Sequence, residues 1–192
     1  MAKKEKLKIM VSSSVYTFRT ELEQLCSTLE GYGYHVLNSH IGTIYNIPGK
    51  SPEESCIAAV EECDFFFGII LPFYGTSGIT HTEFSHAIAI NKPRGFLAHH
   101  DVAFARQLLQ QFMYDENKMR TAFILSRKTA VMDDLRVIEL YNEAVGDGLP
   151  LNKRLWAQKF YRYSLDGAPF VATQFSNETR FRTDLENLKP GI

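Results

Sequence analysis

One acidic side chain, Glu83, occupies the position in this chain best suited to chemistry. It follows an apolar run, Phe65 to Pro72, which has the length and the β-rich content of a strand buried on both faces. A loop of turn-forming residues comes next, and a helix is predicted to open at Thr80 with Glu83 in its first turn. In an open α/β sheet, ligands bind outside the carboxyl ends of the strands. A carboxylate held there can stabilise a developing positive charge or orient a hydroxyl group.

A purely structural role for Glu83 fits the same residues. The spacing of Thr80 and Glu83 is that of a capping box, in which the two side chains satisfy backbone N–H groups at a helix start. A carboxylate in the first helical turn also complements the helix dipole. The sequence leaves the catalytic and the structural roles open.

Three hydroxyl residues, Ser12, Ser13 and Ser14, follow the first apolar run and form a second candidate group. Their hydroxyls and backbone N–H groups suit a phosphate or a ribose, although turn formation and capping explain the same residues. Arg19, early in the next helix, is a candidate partner for a phosphate, with a surface ion pair as the alternative.

The loop before Glu83 supplies the other candidate substrate-binding residues. Tyr74 is placed to stack on a base, Gly75 shapes the loop, and Thr80 stands at the expected helix start. We expect Ser12, Ser13, Tyr74, Gly75 and Glu83 to line one cleft at the carboxyl edge of the sheet.

The histidines do not predict a metal site. His81 and His86 are five residues apart, which differs from the i, i+4 spacing of a two-histidine metal face. His99 and His100 are adjacent after a predicted strand, where neighbouring side chains point in opposite directions. We predict no metal and no cofactor, and treat NAD or a related nucleotide as a candidate substrate or ligand.

Composition narrows the class of protein. The chain has 192 residues, 45% of them hydrophobic, and a net charge of −1, so no basic field predicts nucleic-acid binding. Its three cysteines form no CxxC pair and are typical of reduced thiols. There is no apolar run of the roughly 20 residues that span a bilayer, and the basic start MAKKEKLK lacks the apolar core of a signal peptide. We therefore expect a cytoplasmic protein without membrane or nucleic-acid partners.

Strand and helix patterns alternate along most of the chain. This alternation predicts a flavodoxin-like, doubly wound parallel sheet of about five strands with helices on both faces. The strands are expected near residues 7–12, 34–38, 64–71, 93–98 and 121–125. We predict an α/β domain over residues 1–128 and, over residues 129–192, a C-terminal helical extension packed on the same domain.

Two regions have sharper local signals. Ser51 followed by Pro52 and two acids indicates a helix start. In the last third of the chain, the patterns predict helices over 130–145, 151–163 and 177–188 and a strand over 169–175.

Three blocks carry a family resemblance. They are KIMVSSSVYTFRTELEQL, SPEESCIAAVEECDFFFGIILPFYG and GITHTEFSHAIAINKP, and they occur in that order. Together they resemble a TIR-like family, recorded as domain of unknown function 4062, that often opens bacterial signalling and defence proteins. The wider relatives that this implies are TIR domains and nucleoside 2-deoxyribosyltransferases, both of which have flavodoxin-like sheets.

The resemblance implies a role for Glu83. In catalytic TIR domains, a Glu at this place assists cleavage of the N-glycosidic bond of NAD, and nucleoside deoxyribosyltransferases use a comparable Glu as nucleophile. The chain departs from catalytic TIR domains because Ile79 to Thr82 replace their usual Trp-Cys pair. Two hypotheses follow: an N-glycosidase acting on NAD or a related nucleotide in signalling or defence, or a non-catalytic nucleotide-sensing or assembly module that acts through a homo-oligomer or a partner protein.

Overall fold

Five parallel strands form the centre of the molecule. The computed structural model describes residues 5–14, 17–75 and 77–188. The strands are β1 (Lys8–Ser13), β2 (His35–Leu37), β3 (Phe65–Ile70), β4 (Arg94–His99) and β5 (Ala157–Phe160). They are hydrogen-bonded in the order β2-β1-β3-β4-β5, and every neighbouring pair is parallel. This order confirms the predicted flavodoxin-like α/β fold.

Helices cover both faces of the sheet. They are α1 (Arg19–Gly31), α2 (Pro52–Glu62), α3 (Ile79–Ala89), α4 (His100–Met113), α5 (Arg136–Val145), α6 (Ala168–Phe175) and α7 (Glu178–Glu186). One hydrophobic cluster joins the sheet to α2, α3, α4 and α5, and a second joins it to α1, α6 and α7. Phe66 belongs to the first cluster and its neighbour Phe67 to the second, as expected for a strand that is apolar on both faces.

The predicted start of α2 is confirmed in detail. The Ser51 hydroxyl accepts a hydrogen bond from the Glu54 backbone N–H (3.1 Å), and the Ser51 N–H donates to the Glu54 carboxylate (2.7 Å). Pro52 occupies the first turn, where no backbone N–H is needed.

The predicted fifth strand at residues 121–125 is wrong. That segment is irregular, and the Thr121 backbone N–H donates to the Met113 carbonyl (2.8 Å), which turns the chain back on the end of α4. The edge of β4 is instead taken by β5, whose Ala157 and Phe160 pack into the first and second clusters respectively. The apolar run at residues 121–125 could not by itself predict which segment forms the fifth strand, because strand formation depends on how a segment packs against both faces of the sheet.

Three other expectations for the last third are corrected. Residues 151–163 do not form one helix, because a short 3-10 turn at Leu151–Lys153 is followed by β5. Residues 169–175 lie in α6 instead of a strand, since Pro169 in the first turn favours a helix start. Helix α5 begins only at Arg136.

The last part of the chain therefore contributes both a strand and helices. Helix α7 matches the predicted closing helix, with the Asn177 side chain accepting a hydrogen bond from the Arg180 backbone N–H (3.0 Å). The division of the chain at residue 128 stays a prediction. Within the ranges that the structure describes, no helix is both long enough and apolar enough to cross a membrane.

Candidate functional site

The strand order creates a crevice between β1 and β3. The chain leaves β1 toward α1 on one face and leaves β3 toward α3 on the other, because these helices belong to different clusters. Such a switch point is where open α/β sheets bind ligands. The three serines at the end of β1 and the loop after β3 both lie at this edge, as the sequence predicts.

The position of Glu83 within α3 excludes the capping role. Helix α3 begins at Ile79, one residue earlier than predicted, and its N-cap is Gly78 in the left-handed conformation (φ 71°). Glu83 is therefore not in the first turn, and the N-cap residue provides no side-chain cap. In a capping box the first residue is the N-cap of the helix. Here the N-cap is Gly78 and Thr80 already lies inside α3, so the predicted capping box of Thr80 and Glu83 does not form.

Glu83 points into the protein, where its partners are neutral. Its side chain accepts a hydrogen bond from the Ser12 hydroxyl, and the Cys56 thiol also contacts the carboxyl group. Glu83 is only 5% exposed, and it is the one acidic or basic residue in the buried class among the residues described. Burial raises the pKa of Glu83, and the hydrogen bonds from Ser12 and Cys56 oppose this rise without cancelling it.

Cys56 was missed by sequence reasoning, which treated it only as one of three reduced thiols. The residue is buried, but its thiol also lies against Glu83. Burial, together with the nearby Glu83 charge, raises the pKa of Cys56 to about 12, so the thiol stays protonated and acts as a donor. Its helical spacing on α2 gave no signal of this contact, because the partner comes from a different helix.

A glycine in the sheet sets the depth at which α3 packs. The Phe84 ring, next to Glu83 on α3, lies on Gly68 in the middle of β3, where an added Cβ would come within 2.3 Å of Phe84 Cζ. Phe84 also stacks on Phe96, with ring centroids 5.5 Å apart. The absence of a side chain at position 68 therefore lets α3 approach the sheet closely enough for Glu83 to reach Ser12.

The three serines are separated by the structure. Met10 belongs to the first cluster and Val11 to the second, so strand alternation places Ser12 on the Glu83 face and Ser13 on the opposite face. The Ser13 hydroxyl donates to the Ser14 carbonyl (3.0 Å). The Ser14 hydroxyl donates to the Phe73 carbonyl (2.8 Å), which ties the end of β1 to the loop after β3.

Tyr74 and its neighbours form a clamped loop. The Tyr74 backbone N–H donates to Asp133 (2.8 Å), and the Arg136 guanidinium lies 3.9 Å from the centre of the Tyr74 ring. Gly75 has a φ of +83°, which favours glycine, and an added Cβ there would be 3.8 Å from Ser14. The ring that was expected to stack on a base is thus already stacked on Arg136.

A small cavity beside this loop is lined by Ser14, Tyr74, Thr80 and His81, with a volume of about 10 Å³. This is close to the space of one water molecule. Arg19 does not line this cavity; it is exposed on α1, where its Nε is 3.2 Å from the Glu23 carboxylate.

A larger cavity of about 550 Å³ opens at the same edge of the sheet. It is lined by the start of α1, the ends of β3, β4 and β5, and residues 130–131. Its aromatic lining (Phe18, Phe160 and Tyr163) belongs to the second cluster, and Glu83 is not among the residues that line it. Sequence reasoning missed its β5 side because the fifth strand was placed elsewhere, although it did note that His99 follows the predicted fourth strand.

The comparisons with known proteins give a family match and similar solved structures. Residues 8–146 match the model of a family described as "Domain of unknown function (DUF4062)". A solved structure titled "2-desoxiribosyltransferase from Leishmania mexicana" is similar at 14% identity and a TM-score of 0.40, over 72% of this chain and 97% of that one. No curated protein sequence matches the chain.

Proposed function

This chain belongs to the DUF4062 family, and from that premise we propose that it is a TIR-like, nucleotide-directed domain that cleaves an N-glycosidic bond. NAD or a related nucleotide is the proposed substrate, and bacterial signalling or defence in the cytoplasm is the proposed context. The observation that carries the proposal is the buried Glu83 carboxyl at the switch point of the sheet.

A buried carboxyl without a cation partner is costly, since the desolvation of a charge amounts to several kcal/mol. Glu83 caps no helix, and the groups that act on its pKa, Ser12 and Cys56, are neutral. A residue with a strongly perturbed pKa beside a crevice of the sheet is a candidate for chemistry. An unpaired buried carboxylate is typical of a site in which the substrate supplies the missing positive charge.

The proposed reaction breaks the bond between ribose C1′ and the base nitrogen. The bonding electron pair leaves with the base, and positive charge develops on the ribose. Ionised Glu83 stabilises this charge while the Ser12 hydroxyl holds the carboxylate in place. Water then adds to C1′ and releases a proton, so NAD and water give nicotinamide, ADP-ribose and one proton.

Access to Glu83 requires a movement near α2. The segment 39–50 is attached to α2 by the hydrogen bond from the Ile47 backbone N–H to the Ser55 hydroxyl (3.2 Å), and Ile44 packs on the first cluster. Cys56 is the next residue of α2 and contacts Glu83 directly. We propose that this segment and the start of α2 open to admit the substrate.

The position of the larger cavity favours a second candidate function. Because Glu83 does not line that cavity, a nucleotide can bind there without contacting the carboxyl group. The alternative is therefore a non-catalytic nucleotide sensor or assembly module that acts through a homo-oligomer or a partner protein.

Product analysis separates the two functions. The purified protein is kept at high concentration in the presence of a crowding agent. It is incubated with NAD, with deoxynucleosides or without substrate, and the free base is measured by chromatography. We expect base release from the unmodified protein and a 10²–10³-fold lower rate in Glu83→Gln, of the size found when preorganised electrostatic stabilisation is removed. The matched control is Glu186→Gln, which changes an exposed carboxylate at the end of α7.

Two results would contradict the proposal. Absence of base release from every substrate rejects the glycosidase and leaves the sensor or assembly module. Full turnover in Glu83→Gln rejects the role of Glu83 even if the protein proves to be an enzyme.

A further inference from the structure

We propose that the cavity of about 550 Å³ at the carboxyl ends of β3, β4 and β5 binds a nucleoside monophosphate. Glu83 is not among the residues that line it, so it is a binding site in addition to the proposed catalytic one. Its volume falls in the range of about 300–1,000 Å³ that is usual for small-molecule sites.

The floor of the cavity is apolar and already packed. Phe18, Phe160 and Tyr163 are buried, and the Phe18 ring lies 5.7 Å from that of Phe160 and 5.5 Å from that of Tyr163. These rings hold one another in place without a ligand. A preformed apolar floor favours a ligand with a flat, weakly polar part, because binding costs little reorganisation.

Another aromatic ring stands at the rim. Tyr161 follows β5 and is 63% exposed, and its ring lies 6.0 Å from that of His99. Burial lowers the pKa of His99, so this imidazole is neutral near pH 7 and presents a flat face with no charge. Exposed aromatic faces of this kind stack on bases at about 1–3 kcal/mol per base.

The charged groups of the cavity match the polar parts of a nucleotide. Among the residues described, the Arg162 guanidinium makes no direct hydrogen bond or ion pair, although its backbone N–H donates to Asp166 (3.1 Å) and its charge helps to lower the pKa of that carboxyl. An arginine with its fork of donors free is suited to a phosphate. Glu21 and Asp101 line the same cavity and offer acceptors for ribose hydroxyls or for the amino group of a base.

The start of α1 adds to the anion-binding side. Thr17, Thr20 and Glu21 line the cavity, and the N-cap residue Phe18 provides no side-chain cap for the first N–H groups of α1. Together with Arg162 these groups favour a phosphate, whereas the two carboxylates disfavour a bare anion. The combination selects a ligand that has a ring, hydroxyl groups and one phosphate.

Calorimetric titration tests this site. AMP, CMP, adenosine and inorganic phosphate are titrated into the full chain and into Arg162→Gln, Tyr161→Ala and Arg180→Gln. We expect at least one monophosphate to bind, adenosine to bind more weakly, and inorganic phosphate to bind most weakly. Arg162→Gln should weaken the monophosphate about tenfold or more, as loss of a charge-assisted hydrogen bond predicts, and should leave adenosine unchanged.

The other variants separate the parts of the site. Tyr161→Ala should weaken the monophosphate and adenosine together, because both stack on the ring. Arg180→Gln is the matched control on α7, none of whose residues lines the cavity, and it should bind as the unmodified protein does. Glu83→Gln should also bind normally, which keeps this result independent of any glycosidase activity.

Each contrary result overturns the proposal. It fails if neither monophosphate binds at millimolar concentration to folded protein, or if inorganic phosphate binds as tightly as AMP and CMP. It also fails if Arg162→Gln and Arg180→Gln have equal effects, or if Glu83→Gln weakens binding, because the two sites would then not be separate.

Discussion

At the scale of single residues, the protonation of Glu83 is the most informative property of the protein. Its neighbours stabilise the carboxylate through two neutral donors, while burial favours the protonated acid. The outcome is a raised pKa, so the group binds a proton more strongly in the folded protein than in the unfolded chain. The stability of the protein and the proposed reaction must then respond to pH in opposite directions.

The first prediction concerns stability. With the pKa of Glu83 raised above its usual value of 4.5, the folded state binds one more proton than the unfolded state between that value and the raised pKa. The contribution of Glu83 is fully present at low pH and is lost as pH rises, at about 1.4 kcal/mol per pH unit within that window. Glu83→Gln should therefore become progressively more stable relative to the unmodified protein, as measured by urea unfolding from pH 5 to pH 8. A pH-independent difference would mean that the pKa is not raised.

The second prediction concerns the hydroxyl that contacts the carboxylate. Ser12→Ala removes a hydrogen bond that favours the charged form, so the pKa of Glu83 should rise further. A ¹³C NMR titration of the Glu83 carboxyl measures the shift directly. Ser13→Ala is a matched control, because Ser13 is the next residue of β1 but lies on the opposite face. Equal shifts in both variants would show that the contact with Ser12 does not tune the acid.

At the scale of elements, the packing of α3 on β3 positions the site. The third prediction is that Gly68→Ala destabilises the protein by about 1–3 kcal/mol, the usual cost of overpacking a core. The new Cβ would come within 2.3 Å of the Phe84 ring, so α3 must move away from the sheet. Urea unfolding measures the loss, and Gly31→Ala, where nothing lies within 4 Å of an added Cβ, is the control.

A second substitution checks the cause of that loss. Phe84→Leu replaces the ring that meets the new Cβ with a smaller side chain. We therefore expect Phe84→Leu to lower the free energy of unfolding less in the Gly68→Ala variant than in the unmodified protein. Strictly additive effects would show that Gly68 and Phe84 do not limit the approach of α3.

The elements differ in how far the sequence predicts them. Some elements have strong local signals. Strand β3 is predictable because Phe65–Ile70 is apolar on both faces, and the start of α2 is predictable because Ser51 and Glu54 form a complete capping box. The location of β5 is not, since the local pattern favours a strand at 121–125 and a helix over 151–163, and only pairing with the edge of β4 makes residues 157–160 the strand. The residues of the two candidate sites also differ in how far the sequence predicts them. Glu83 and Ser12 can be predicted because they lie near the carboxyl ends of strands, at the carboxyl edge of the sheet. Cys56 and Arg162 cannot, because their positions depend on contacts between distant segments.

At the scale of the whole molecule, the C-terminal part completes the core. Phe160, Tyr163 and Phe175 are buried in the second cluster, where Phe18 contacts the first two and Phe67 contacts the third. All three lie beyond residue 146, where the family match ends. The matched region alone therefore lacks one strand of the sheet and much of one face of its core.

The fourth prediction follows from this arrangement. A chain of residues 1–146 should not fold cooperatively, because loss of a buried aromatic side chain costs about 3–5 kcal/mol and a whole domain is stable by only about 5–15 kcal/mol. Circular dichroism during heating and gel filtration measure the outcome. A chain of residues 1–176, which keeps β5 and α6, is the control and should retain a cooperative transition. A cooperative transition in the shorter chain would show that β5 is dispensable.

The late position of β5 also has a consequence for the time course of synthesis. β4 ends at His99 and β5 begins at Ala157, so four strands leave the ribosome well before the fifth. At about 5–20 residues per second, the nascent sheet spends several seconds with the edge of β4 unpaired. An unpaired parallel edge is a template for association with other chains. We therefore expect the soluble yield of this protein, measured after synthesis in a cell-free system, to rise when chaperones that act before translation ends are added.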